Sequence, residues 1–132
     1  MTRKEAREET FILIFEKQFN PDSLEEIIEL AGEVRDLTPD DYIKSVFFGA
    51  FEHIEEIDNI ISTNARGWQI GRISKTALAV LRLALFEILY FEEIPLSVSI
   101  NEAVELCKKY ATKDDSAFVN GILSTVAKER QA

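Results

Sequence analysis

A single cysteine in 132 residues excludes an intrachain disulfide. Cys107 falls on a helical face with Ile100, Ala103 and Val104, where a small buried hydrophobe is a simpler reading than a reactive thiol. A single histidine is equally restrictive. His53 sits among Glu52, Glu55 and Glu56, and a metal site needs two or three converging ligands, so none is expected. Glycines and prolines are few, and with 46% apolar and 30% charged residues the composition suits an ordered, helix-rich globule. No Gly-rich phosphate loop, strand–turn–helix nucleotide motif or zinc-ligand spacing occurs. No serine, cysteine or lysine nucleophile has a plausible base, since the lone histidine lies far along the chain from Cys107. Carboxylate pairs abound, but on polar helical faces where solvation accounts for them. The chain reads as a non-enzyme without cofactor or metal.

An apolar run of signal-peptide type is also lacking at the N-terminus, which leaves the cytoplasm as the default location. The longest apolar stretch is Thr76 to Phe91. Thirteen of the fifteen residues from Ala77 to Phe91 are apolar, and only Arg82 and Glu87 interrupt. At about 1.5 Å per residue the run spans roughly 22 Å, short of a bilayer crossing, and two charges argue further against one. No membrane association is expected. A helix apolar nearly all round must be buried on most sides, so residues 75–92 are expected as the central helix of an all-α bundle. An ion buried without a partner is costly, so Arg82 and Glu87 each need hydrogen-bonding groups on other helices. Asn101 and Glu102, in the following helix, are the nearest polar candidates. Two roles stand for Arg82: a tie to that neighbour, or a phosphate contact beside Arg72 and Lys75.

Negative charge dominates overall at −9, but unevenly. Residues 1–58 hold 16 acids against 6 bases; residues 59–132 hold 8 against 9. Positions 59 to 86 contain Arg66, Arg72, Lys75 and Arg82 and no acid. Bulk charge disfavours a polyanion, whereas a local basic island can still bind one. A solvated basic face explains the island equally well.

Along the chain, residues 3–19 predict a first helix. Arg3, Lys4 and Arg7 can share one side of it, offset by Glu5, Glu8 and Glu9. Asn20-Pro21 is a break, and Asp22 with Glu25 has capping-box spacing for a second helix burying Leu24, Ile27, Ile28, Ala31 and Val34. Thr38-Pro39-Asp40-Asp41 predicts a third start, with a helix running to about Thr63 on a seam of Ile43, Phe47, Ala50, Ile54, Ile57 and Ile61. Gly67, Trp68 and Gly71 mark an irregular passage before Ser74 caps the central helix. Ile94-Pro95 ends that helix. Ser97 or Ser99 starts the next, with Ser99 and Glu102 again at capping-box spacing. A last helix is expected from Asp114 or Asp115 to Glu129. Asn120-Gly121 would read locally as a hairpin turn, although Val119, Ile122, Leu123 and Val126 also fit helical spacing.

Three segments then form a pattern: Ala79-Val80-Leu81-Arg82-Leu83-Ala84-Leu85-Phe86-Glu87-Ile88, Ile100-Asn101-Glu102-Ala103-Val104-Glu105-Leu106, and Phe118-Val119-Asn120-Gly121-Ile122-Leu123. In this order and spacing, over roughly residues 66–126, they resemble the NusB family of bacterial transcription antitermination factors. The first helix agrees more weakly, and residues 20–60 agree in helical pattern only.

The resemblance implies a bundle of about seven helices in one RNA-binding domain over residues 1–132. It makes Asn120-Gly121 a helix interior, with the glycine permitting close approach of another backbone. It implies binding to the boxA element of ribosomal RNA leader transcripts together with NusE, a small-subunit ribosomal protein, and action on RNA polymerase with other Nus factors. Residue by residue, Arg3, Lys4 and Arg7 match the family's basic N-terminal motif. Arg82, Phe118 and Asp115 match positions tied to RNA contact or to function in the complex. With Arg72 and Lys75 from the island, these form the candidate site; Glu87, Asn101, Glu102 and Asn120 are the candidate structural polar groups. Phe118 suits RNA because single-stranded bases stack on aromatics. The family's N-terminal segment is often richer in arginine, so weak RNA binding by the chain alone is expected, strengthened by a basic partner. Two other uses of the fold stand beside this one. One is a homodimeric helical scaffold without its own RNA role; the other is the NusB-like domain of an rRNA methyltransferase, which requires a truncated chain.

Overall fold

The stretch from Thr76 to Phe91 lies at the centre of the computed structural model, which describes residues 1–67 and 69–131. Trp68, read from the sequence as part of the irregular passage, lies outside the described residues, as does Ala132. The elements are α1 (Arg3–Lys17), α2 (Leu24–Arg35), α3 (Asp41–Glu52), α4 (Ile54–Asn64), a single 3-10 turn (Ile70–Arg72), α5 (Lys75–Tyr90), α6 (Leu96–Tyr110) and α7 (Lys113–Gln131). No strand occurs among the described residues. The expected all-α bundle of seven helices is what forms. On α5 every residue from Ala77 to Ile88 is buried except Arg82, because α1, α3, α4, α6 and α7 all pack around it. α2 lies outside, against α1.

Several boundaries differ from the sequence reading. The box opening α2 is Ser23 with Glu26, not Asp22 with Glu25. α3 is capped by Asp40, whose side chain accepts from the Ile43 N–H at 2.9 Å, so Thr38 and Pro39 precede the helix. The single helix expected to Thr63 is two. His53 leaves helical geometry (φ −107°, ψ 26°) and turns α3 into α4, while Phe47, Ala50, Ile57 and Ile61 still reach one core. There the imidazole stacks on Tyr90 with ring centroids 4.5 Å apart. α6 starts at Leu96 after Pro95, and Ser99 is buried inside it rather than capping it. Val34 is 74% exposed, because the buried stripe of α2 ends at Ala31.

Asn120 and Gly121 sit inside α7. The close approach expected of Gly121 is not there, since an added Cβ meets nothing within 4 Å. At Gly49, by contrast, an added Cβ would run into the Phe86 ring, so the missing side chain lets that ring pack directly against α3. Cys107 is fully buried, and burial pushes its thiol up to about 11, as suits a core residue.

Candidate nucleic-acid interface

The first turn of α1 is fixed by a capping box between Thr2 and Glu5. From it Arg3, Lys4 and Arg7 go to three different environments. Arg3 is exposed, with its guanidinium 4.5 Å from the centre of the Tyr42 ring. Lys4 is exposed, with Nζ 3.2 Å from Glu102. Arg7 turns inward and is only 4% exposed. Its Nε donates to Glu87 Oε2 at 2.7 Å and its Nη2 to Oε1 at 3.2 Å. Arg7 is thus not part of the exposed basic surface on which the sequence placed it, because a fully buried carboxylate requires a counter-ion.

Glu87 gathers four helices. Besides Arg7 of α1 it accepts from the Tyr42 hydroxyl of α3 and from Ser99 Oγ of α6 at 2.8 Å. Burial, and then the adjoining carboxylate, push the Tyr42 phenol well above its ordinary value, so the hydroxyl stays a donor. The partners expected from the sequence are not those found. Glu102 pairs with Lys4; Asn101 and Asn120 are exposed, and neither side chain makes a hydrogen bond among the described residues.

Arg82 is also committed internally. Its Nε and Nη2 donate to the two carboxylate oxygens of Asp58 at 3.0 and 2.9 Å, and its Nη1 to Gln18 Oε1 at 3.1 Å. The tie expected toward α6 runs instead to α4 and to the end of α1. Gln18 completes the link by donating to the Lys75 carbonyl at 2.8 Å. α1 therefore lies antiparallel to α5, pinned at one end by Arg7–Glu87 and at the other by Gln18–Lys75.

Near the start of α5 the remaining candidates converge. Arg72 and Lys75 are exposed, and Arg66 joins them after a left-handed turn formed with Gly67 (φ 46° and 90°). Arg72, Ile73, Ser74, Asp114, Asp115 and Phe118 line a cavity of about 130 Å³. Ser74 accepts from the Ala77 N–H and donates to Asp115 at 3.1 Å, fastening α7 to the cap of α5. The half-buried Phe118 also borders a second hollow, of about 370 Å³, shared with Arg66, Gly121 and Thr125. Exposed guanidiniums beside an aromatic face can hold phosphates and stack a base.

The candidates thus fall into an inner set, Arg7, Arg82 and Glu87, and an outer set at two ends of α5. The outer set is Arg3 and Lys4 at one end, and Arg72, Lys75, Asp115 and Phe118 at the other. Tyr42, Asp58, Gln18 and Ser99 were missed as partners, since nothing local to them signals contacts made so far along the chain. Among the described residues, no helix is long and apolar enough to cross a membrane.

The comparisons with known proteins agree with this architecture. A sequence profile of the NusB family matches residues 4–128. The transcription antitermination protein NusB of Ruminiclostridium cellulolyticum is 45% identical over 130 residues, covering 97% of this chain and 90% of that protein. Among solved structures, T. maritima NusB matches with a TM-score of 0.86 at 36% identity, covering 98% of this chain and 92% of that one. A chain from the structure of antitermination factors NusB and NusE in complex with dsRNA matches with a TM-score of 0.85 at 29% identity, covering 96% of each.

Proposed function

The chain belongs to the NusB family, and on that premise we propose that it is a transcription antitermination factor. In this reading it binds the boxA element of ribosomal RNA leader transcripts together with NusE. Through the complex with other Nus factors it supports rRNA transcription by RNA polymerase. It works by binding rather than catalysis, in the cytoplasm, as one helical domain over residues 1–132. The observation that carries the reading is the family match along nearly the whole chain.

At the level of residues, Arg3, Lys4, Arg72 and Lys75 are the phosphate contacts and Phe118 the stacking surface. Asp115 positions α7 through Ser74. Arg7 and Arg82 act indirectly, by holding the helices that carry the contacts. A net charge of −9 opposes any polyanion, so a basic partner adds affinity by completing the phosphate track.

A gel-shift titration with boxA RNA tests the proposal. Weak binding by the chain alone, marked strengthening by NusE and steep weakening with salt are expected. No binding in either condition, or equal affinity for boxA and a scrambled RNA in the presence of NusE, overturns it.

A further inference from the structure

α1 and α6 face each other along a seam of crossed ion pairs. Lys4 Nζ lies 3.2 Å from Glu102 Oε2, and Lys109 Nζ lies 2.6 Å from Glu8 Oε2, which also accepts from the Tyr110 hydroxyl at 2.7 Å. Between the pairs is a cleft of about 170 Å³ with Arg7 and Leu106 in its lining. Every cation on the seam is already answered by a carboxylate, Arg7 by Glu87.

The two exposed pairs are not equivalent. Glu8 is held by two donors, and its carboxyl is lowered chiefly by the Lys109 and Tyr110 hydrogen bonds. Glu102 has one hydrogen-bond donor, Lys4, whose side chain is 68% exposed against 25% for Glu102. A pair held by a single exposed donor is cheaper to exchange than one held by two. A phosphodiester offers an ammonium group what a carboxylate offers, a delocalised negative charge on two oxygens. Glu102 therefore occupies Lys4 as a phosphate would.

We propose that Glu102 sets the strength of RNA binding by competing with backbone phosphate for Lys4. This rests on the RNA-binding reading above and adds a residue that opposes it. In the free protein Lys4 is neutralised by Glu102; on binding, a phosphate takes its place and the carboxylate is released to water. Lys4 then returns less affinity than an unpaired lysine at the same position.

The test is Glu102→Gln, which keeps the side chain's shape and removes its charge, measured in complex with NusE against a boxA RNA oligonucleotide over a range of salt. One phosphate contact on a single strand contributes a log–log salt slope of about −0.7, or about fourfold in affinity at 0.15 M salt. The variant is expected to bind up to about fourfold more tightly with a correspondingly steeper slope. Its melting temperature is expected to stay within a few degrees of the wild type. Two controls bind the effect to Lys4. Glu29→Gln removes an exposed acid of α2 and is expected to give a much smaller gain. Lys4→Ala/Glu102→Gln is expected to lose the gain. Unchanged affinity in Glu102→Gln, an equal gain in Glu29→Gln, or a gain that survives without Lys4 overturns the inference while leaving the RNA reading intact. Absence of RNA binding by the wild-type complex overturns both.

Discussion

Arg7 and Glu87, 80 residues apart in the chain, meet through two hydrogen bonds at a buried site. Removing one member of a buried pair strands the other charge and costs about 3–5 kcal/mol. Arg7→Met is therefore expected to destabilise the fold by about that amount in urea denaturation. Arg7→Met/Glu87→Leu should recover part of the loss but not all, because the Tyr42 and Ser99 hydroxyls lose their acceptor. An unchanged unfolding midpoint in Arg7→Met would mean that the pair does not hold α1 on α5.

Arg82 makes a forked contact with Asp58 and a third bond to Gln18. Hydrogen bonds to charged groups contribute about 1.5–3 kcal/mol, and the Arg82–Asp58 pair is mostly sheltered. Asp58→Asn should lower stability by about 1–2 kcal/mol, and Arg82→Ala by somewhat more. If Arg82→Ala leaves thermal stability intact and weakens RNA binding instead, the phosphate role considered from the sequence is the correct one.

Gly49 marks where α3 closes on Phe86. Gly49→Ala forces the ring or the helix aside, at an overpacking cost of about 1–3 kcal/mol. Gly49→Ala/Phe86→Leu should regain stability relative to Gly49→Ala alone, by making room for the methyl group. Equal unfolding midpoints for wild type and Gly49→Ala would show that the contact yields without cost.

Acid should weaken the fold along a defined path. Glu5 and Glu26 are lowered by hydrogen bonds within their capping boxes, and Glu8 by those from Lys109 and Tyr110. A carboxyl that is more acidic folded than unfolded adds stability above its ordinary value of 4.5, and that stability is lost as pH falls through the lower folded value. The melting temperature is expected to drop as pH falls below about 4.5. The drop should be shallower in Glu8→Gln, which has already given up its share. Parallel curves for the two proteins would contradict the role assigned to Glu8.

How far the sequence foretold this structure depends on the distance over which each feature acts. α5 was legible because thirteen apolar residues in fifteen can only be buried, and its Ser74 cap is immediately adjacent. Where several capping residues stand together, as at Asp22-Ser23 or Thr38 to Asp41, spacing found the helix and missed its first residue. The α3–α4 bend was hidden because the apolar seam keeps its period through His53. The need of Glu87 and Arg82 for partners was legible from burial alone. Their identities were not, since Arg7, Tyr42, Asp58 and Gln18 are brought in by packing and look locally like ordinary surface residues. Arg7 was placed with the exposed cations for the same reason: a basic side of a helix does not reveal which of its cations turns inward.

The division between framework and contact cations is the central claim, and it is tested most directly on the pair not committed to the framework. RNA affinity and unfolding midpoint should be measured together for Arg72→Ala/Lys75→Ala in complex with NusE. Loss of two phosphate contacts on a single strand predicts an affinity about fifteenfold lower at 0.15 M salt and a salt slope flatter by about 1.4, with the unfolding midpoint unmoved. Undiminished affinity, or a loss that merely tracks a lower midpoint, would contradict the account.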